Sequence, residues 1–356
     1  MKNYLPYLES RPKKLLFTAL LLLLFAVGAI DYLTGVELSF SVLYLLPVAL
    51  GAWLLGRWAS VFISIICAIV WYLADLISSP SYSIPIVPYW NAIVMLGFFL
   101  TTALILSKLK QTIDRENKLA REIQERLLPT EIPRMAGYEI AGAWRPAQSV
   151  SGDYYDVIRL DDDSLALCVG DVVGHGIPAA LLMSNLQAAV RMLAISKLSP
   201  RDICTQLNKF IISSTRPDKF ITFFYGVLDV NKKEFVYTNA GHNRPLIVRK
   251  SGETLSLSEG GFPLGLLPDS CYDQGITYLN QGDLLLIYTD GVLEVSNMQN
   301  EQFGENRVLN ILKENHKRGA KAACNGILKA VSEFSKGNYQ DDLALLALSA
   351  HSTDTV

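Results

Sequence analysis

The sequence predicts an α-helical four-span membrane domain, a helical linker, and an α+β domain in which helices cover two antiparallel sheets. Three observations predict this. Before Lys108 the only charges are Lys2, Glu9, Arg11, Lys13, Lys14, Asp31, Glu37, Arg57 and Asp75, and long apolar stretches fill the gaps between them. From Tyr138 onward, strand-like runs alternate with turns, and helical patterns come in consecutive pairs, which favours a layered α+β sandwich over a βαβ sheet. Between the two lies a Lys-, Glu-, Arg- and Gln-rich stretch with heptad spacing. The boundaries read as 1–107 for the spans, 108–130 for the linker, 131–350 for the sandwich and 351–356 for a tail. A length of 356 residues suits about two domains. A net charge of −2 gives nucleic acid no electrostatic footing.

The four apolar stretches fall at 15–34, 38–56, 58–78 and 86–107, each near the ~20 residues a helix needs to cross a bilayer. The first is not a signal peptide, because its Leu run is long and no small-residue cleavage site comes after it. Arg11, Lys13 and Lys14 precede the first stretch, Arg57 separates the second from the third, and Lys108 and Lys110 come after the fourth. The other two loops carry Asp31, Glu37 and Asp75 but no Lys or Arg. The positive-inside rule then puts both termini in the cytoplasm of a protein crossing the inner (cytoplasmic) membrane four times. Aromatics such as Tyr44, Trp53, Trp58, Trp71, Tyr72, Tyr89 and Trp90 read either as interfacial anchors and packing or as the walls of a sensing pocket. Asp75 reads as interfacial, and Pro47 and Pro88 mark a kink or a helix start.

In the linker, Leu106, Leu109, Ile113, Glu116, Ala120, Ile123 and Leu127 recur at steps of three and four, and Pro129 ends the pattern. Two readings stand: a parallel two-stranded coiled coil joining a homodimer, or an amphipathic helix lying on its own C-terminal domain. Either way one helix joins the spans to the C-terminal domain and transmits a shift or rotation.

In the sandwich, strands are predicted at Tyr138–Trp144, Tyr154–Leu160, Ser164–Asp171, Ile221–Val230, Glu234–Asn239, Pro245–Arg249, Asp283–Asp290 and Leu343–Leu348. Ser251-Gly252 makes a hairpin turn. Helices are predicted near 177–196, 200–214, 305–317 and 320–335, the second opening at Ser199-Pro200. Cys67, Cys168, Cys204, Cys271 and Cys324 show no CxxC spacing and read as reduced thiols.

Four acidic segments carry the chemistry: Ser151-Gly152-Asp153, Gly170-Asp171-Val172-Val173-Gly174-His175-Gly176, Thr289-Asp290-Gly291 and Gln340-Asp341-Asp342. Each places an Asp at the end of an apolar run. Carboxylates brought together this way repel unless cations sit between them, and hard divalent ions such as Mg²⁺ or Mn²⁺ suit all-oxygen ligands. His175, His242, His316 and His351 lack zinc-type spacing. If Asp153, Asp171, Asp290 and Asp341 converge on two divalent cations, water between the ions loses a proton readily, and the hydroxide attacks phosphorus in line. The glycines after Asp171 expose the Val172 carbonyl as a further oxygen ligand. The run Asp161-Asp162-Asp163 is a solvated turn, and Gly260-Gly261 is not a nucleotide loop.

These segments, with Ile123-Gln124-Glu125-Arg126-Leu127-Leu128-Pro129, Asn239-Ala240-Gly241-His242-Asn243 and Gly261-Phe262-Pro263-Leu264-Gly265, resemble the metal-dependent 2C-type serine/threonine phosphatases. The likeness is to the bacterial branch of stage II sporulation protein E and the sigma-factor regulators, over roughly 118–349. The resemblance implies an αββα sandwich and hydrolysis of phosphoserine or phosphothreonine on an anti-anti-sigma-type regulator. It implies that Asp171 bridges two metals with the Val172 carbonyl on one of them, and that Asp290 and Asp341 hold the second. It further implies that Asp153 binds a metal directly or through water, that Asp342 matches an adjacent acidic position, and that the linker helix controls assembly of the metal site. Ser151 stands where the family has a second Gly, and Ala344 where Thr is common. Eukaryotic relatives hold phosphate with an Arg just upstream of the first Asp; Gln148 lies near that spacing and Arg145 farther off, so phosphate capture falls to the metals alone or to Arg145. His175 is a possible proton donor or a turn residue; His242 and Asn243 read first as turn residues. The alternative function is an inactive scaffold that binds phosphoproteins in a membrane complex.

Overall fold

The computed structural model describes residues 8, 11–34, 40–78, 84–216 and 218–351; Lys2, Glu9, Glu37 and all of the predicted tail but His351 lie outside them. Two compact units divide the chain, Met1–Glu116 and Asn117–Val356.

The first unit is helical: α1 (Lys13–Thr34), a 3₁₀ turn (Ser41–Tyr44) running into α2 (Leu45–Leu54), α3 (Arg57–Ser78) and α4 (Val87–Glu125). Helices α1, α3 and α4 are long and apolar enough to cross a membrane. The described part of the second stretch is shorter than the predicted 38–56. Pro47 has no N–H to offer the Leu43 carbonyl, so the preceding turn closes as 3₁₀, with the Leu43 N–H donating to Phe40 O at 2.8 Å. Leu24, Tyr44, Val48, Ile63, Cys67 and Phe99 fill the centre of the unit. Small polar residues let the helices approach: Ser60 Oγ and Ser107 Oγ are 3.2 Å apart, and Ser64 Oγ donates to Phe99 O at 3.3 Å. At the other end Asp31 accepts from the Phe40 N–H and the Tyr44 hydroxyl, both at 3.2 Å.

The second unit is the α+β sandwich that the sequence predicts. One sheet runs β1 (Tyr138–Arg145), β11 (Leu343–Ala350), β10 (Leu284–Tyr288), β6 (Leu246–Val248), β7 (Thr254–Ser256). The other runs β2 (Tyr154–Arg159), β3 (Ser164–Val172), β4 (Ile221–Asp229), β5 (Glu234–Ala240), β8 (Gly260–Gly261), with β9 (Gly275–Tyr278) also on β5. Among these pairings β5–β8 is parallel and the rest are antiparallel. Helices α5 (Ile177–Ala194) and α6 (Pro200–Ser214) cover the second sheet, and α8 (Glu305–Asn315) and α9 (Ala320–Ser335) the first. A short helix α7 (Gly291–Glu294) comes directly after β10.

The period of two explains the layering. Ala344, Leu346 and Leu348 of β11 face the core between the sheets, while Leu343, Leu345 and Ala347 face the core under α8 and α9. Both faces are covered, so all eight β11 residues are buried. Ser199 caps α6 by accepting from the Asp202 N–H at 3.2 Å, and Pro200 opens that helix. The elements β8, β9 and α7 were not predicted. They have two, four and four residues, too few for any period to show.

Register places the acidic segments. Arg145 at the end of β1 pairs with Leu343, Tyr288 at the end of β10 with Leu345, and Asp171 near the end of β3 with Thr222. The ends of β1, β3 and β10 and the start of β11 therefore deliver their loops to a common site.

Candidate metal centre

Asp171 leaves β3 just before a sharp turn. Gly174 has φ of +98°, which favours glycine, and it redirects the chain from Val172 toward α5. Gly152 lies against the Val172 carbonyl, where a Cβ would come within 3.0 Å of the oxygen. A side chain at 152 would crowd that oxygen. Asp290 precedes the first residue of α7, and Glu294 lies four residues on, on the same face. Carboxylate oxygens of Asp290, Glu294 and Asp341 all lie within 4.8 Å of one another.

Asp153 is only 2% exposed. The Thr289 hydroxyl donates to its Oδ2 at 2.6 Å and itself accepts from the Ala344 N–H at 2.9 Å. Trp144 Nε1 donates to the Asp153 carbonyl at 3.0 Å. Asp342 has a different task. Its Oδ1 accepts from the Ala147 N–H and its Oδ2 from the Gly152 N–H, both at 2.8 Å, which binds the loop before Asp153 to the start of β11.

The charges of this cluster press on one another. Burial, then the neighbouring Asp171, raises the Asp153 carboxyl well above the ordinary range. Burial, then Asp290 and Asp341, raises Asp171 to about 7. Burial, then Asp341 and Glu294, raises Asp290 to about 6. Burial raises Asp342, and the two amide donors pull it back. Buried carboxylates elsewhere in this unit are paired: Arg191 Nε donates to Asp156 Oδ2 at 2.8 Å, and Arg249 Nη1 to Asp283 Oδ2 at 2.6 Å. None of Asp153, Asp171, Asp290, Glu294, Asp341 and Asp342 has an Arg, Lys or His ion-pair partner among the described residues. Of these six carboxylates Asp153 and Asp342 are buried, Asp171 and Asp290 half-buried, and Glu294 and Asp341 exposed, and their hard oxygen donors suit divalent cations.

The predicted residues Asp153, Asp171, Asp290 and Asp341 are thus within electrostatic reach of one another, with the Val172 carbonyl beside the Asp171 turn. Glu294 and Lys219 were missed by sequence reasoning, and Thr289 was named only as part of its segment, without a role. Glu294 left a legible trace, its i,i+4 spacing from Asp290. Lys219, on the loop before β4, left none. Its Nζ lies 3.3 Å from where a Gly174 Cβ would stand. Arg145 and His175 are both exposed at the same end of the sandwich. His242 is buried, with Nδ1 2.9 Å from Thr222 Oγ1, and its backbone N–H donates to Asn239 Oδ1 at 2.7 Å. Burial lowers its imidazole to about 4, so it stays neutral.

The linker reaches this loop directly. Gln124, near the end of α4 and 3% exposed, donates from Nε2 to Ser151 O at 2.6 Å and accepts at Oε1 from the Ser151 N–H at 2.9 Å. Gln187 of α5 donates to Leu127 O at 3.1 Å. Two residues beyond Ser151 is Asp153.

The model of the stage II sporulation protein E (SpoIIE) family matches residues 161–351, more than half the chain, and takes in Asp171, Asp290 and Asp341. A domain of unknown function (DUF4118) matches residues 14–123. Phosphoserine phosphatase RsbU of Bacillus subtilis is 29% identical over 244 residues, covering 68% of this chain and 72% of that protein. Protein IcfG of Synechocystis is 28% identical over 276 residues; the chain spans only 43% of its length. Among solved structures, the RsbU and RsbW domains of a Mycobacterium tuberculosis protein match with a TM-score of 0.56 at 28% identity, covering 64% of this chain and 63% of that one. The SiaA-PP2C domain of Pseudomonas aeruginosa matches with a TM-score of 0.60 at 19% identity, over 68% of this chain and 98% of that one, a likeness of fold. The chain belongs to the SpoIIE family, and its C-terminal unit is a PP2C-type phosphatase domain preceded by an N-terminal region of apolar helices.

Proposed function

We propose that this member of the SpoIIE family is a membrane-anchored, metal-dependent protein serine/threonine phosphatase acting on a phosphorylated regulator of the anti-anti-sigma type. The observation that carries the reading is the cluster of carboxylates with no Arg, Lys or His ion-pair partner among the described residues, at one end of a PP2C-type sandwich. Two divalent cations, Mn²⁺ or Mg²⁺, would be held by Asp171 with the Val172 carbonyl, by Asp290 and Asp341, and by Asp153; Glu294 is placed to join Asp290 and Asp341. When bound, such ions supply Lewis acidity, which makes a water molecule acidic and offsets the charge of phosphate oxygens. The chain contributes orientation. Thr289 fixes Asp153, Asp342 fixes the Ala147–Gly152 loop, and Lys219 and Arg145 offer cations to an incoming phosphomonoester.

A membrane anchor is supported by α1, α3 and α4 and by the clustering of Lys13, Arg57 and Lys108 around one cavity. Those residues mark one end of the bundle, the end predicted to face the cytoplasm of an inner-membrane protein with both termini inside. The linker seam supports a homodimer: Leu109 is 49% exposed, Ile113 37% and Ile123 65%, at heptad spacing along one helix. Input from the spans would reach the site through Gln124.

Asp171→Asn and Asp290→Asn each remove one unit of charge with little change of shape. Release of phosphate from a phosphoserine protein in Mn²⁺ should fall by at least about a thousandfold in either variant, with circular dichroism unchanged. Activity retained in both folded variants would refute the assignment.

A further inference from the structure

A cavity of about 950 Å³ opens in the first unit. Lys13 of α1, Arg57 at the start of α3, and Lys108 and Lys110 of α4 all line it. One carboxylate stands against these four cations, Asp114, whose Oδ1 lies 3.2 Å from Lys110 Nζ. Lys13, Arg57 and Lys108 have no carboxylate partner among the described residues. Because α3 begins at Arg57, its first amides have no intrahelical acceptor, and the positive end of that helix borders the same space.

The surroundings are those of a membrane–water boundary. Trp53 and Trp58 both line the cavity. Lys110 Nζ sits 5.0 Å above the Trp53 ring, and the Arg57 guanidinium 5.5 Å above the Trp58 ring. Trp58 is 79% exposed, and Phe62 one turn further along α3 is 51% exposed, so an apolar surface leads away from the cationic space. A free anion would use the cations and leave that apolar track idle. A phospholipid uses both.

We infer that this cavity binds the headgroup phosphate of an anionic phospholipid, with the acyl chains lying along the exposed face of α3. This rests on the membrane-spanning reading. A chain that alkaline carbonate frees from membranes without detergent would defeat that reading; a chain that needs detergent yet ignores headgroup charge would defeat this one alone.

The test uses the full chain purified in mild detergent and offered phosphatidylglycerol and phosphatidylcholine with identical acyl chains. Retained lipid is counted by native mass spectrometry. The parent should retain phosphatidylglycerol with a preference of about tenfold or more. The Lys13→Gln/Arg57→Gln/Lys108→Gln variant should retain the two lipids equally, and Asp114→Asn should hold or sharpen the preference. Equal retention by the parent, or an undiminished preference in the folded triple variant, would overturn the inference. So would displacement of phosphatidylglycerol by millimolar inorganic phosphate, which would make the site one for a free anion. If the triple variant does not fold, Asp114→Asn decides: a preference that falls contradicts the charge argument.

Discussion

Asp156 is a buried and Asp171 a half-buried aspartate of the sandwich, and their surroundings separate their roles. Asp156 has Arg191; Asp171 has only other carboxylates. With its carboxyl at about 7 and that of Asp290 at about 6, both hold protons in the metal-free fold at pH values where an unfolded chain has lost them. Folded pKa values raised in this way add stability at low pH that is lost as pH rises from about 4 through 7. Divalent cations bind the deprotonated form, so they compete with those protons. The gain in melting temperature on adding Mn²⁺ should therefore be larger at pH 8 than at pH 5.5. His242, lowered to about 4, shifts stability in the opposite sense, but it does so with and without the ion and drops out of the difference. A thermal melt at both pH values with and without Mn²⁺ checks this; a gain independent of pH would contradict it. At this scale the four principal aspartates were legible because each adjoins an apolar run, and Asp153, Asp171 and Asp290 also sit beside Gly. Glu294 was overlooked although its i,i+4 spacing from Asp290 was there to read, and Thr289 was named without a role, because that role depends on the fold bringing Asp153 to it.

Helix α4 is the element through which the proposed regulation would run. Its span was legible as an apolar stretch and its continuation as a heptad seam. The amide clamp from Gln124 to Ser151 was not, since a Gln within a polar helix gives no sign that its side chain is buried. Replacing Gln124 by Ala leaves the Ser151 N–H and carbonyl buried without partners, at a cost of about 1–3 kcal/mol. We expect Gln124→Ala to weaken Mn²⁺ binding through the loop that carries Asp153, and to lower activity more at limiting than at saturating Mn²⁺. Calorimetric titration of Mn²⁺ into the variant checks the first effect. Affinity equal to the parent's would show that the clamp holds the helix without tuning the site. The second apolar stretch illustrates the limit of counting hydrophobic residues: Pro47 changes the local hydrogen bonding, and the described helix is shorter than the stretch that encodes it.

For the whole molecule, fold class was the most legible property, because charge density and period change together near Lys108 and again near Tyr138. Small glycine-rich pieces such as β8 stayed hidden, being shaped by their neighbours and not by propensity. The exposed seam on α4 predicts that the full chain in detergent has twice the protomer mass by light scattering, and that Ile113→Asp lowers that mass toward a monomer; a monomeric parent would contradict the dimer. The central claim is that one cluster of carboxylates forms a two-ion site. Manganese anomalous diffraction from crystals grown with Mn²⁺ tests it most directly. Two peaks about 3.5–4 Å apart are expected, between Asp153 and Asp171 on one side and Asp290 and Asp341 on the other. Absence of anomalous density among those four side chains at saturating Mn²⁺ would contradict it.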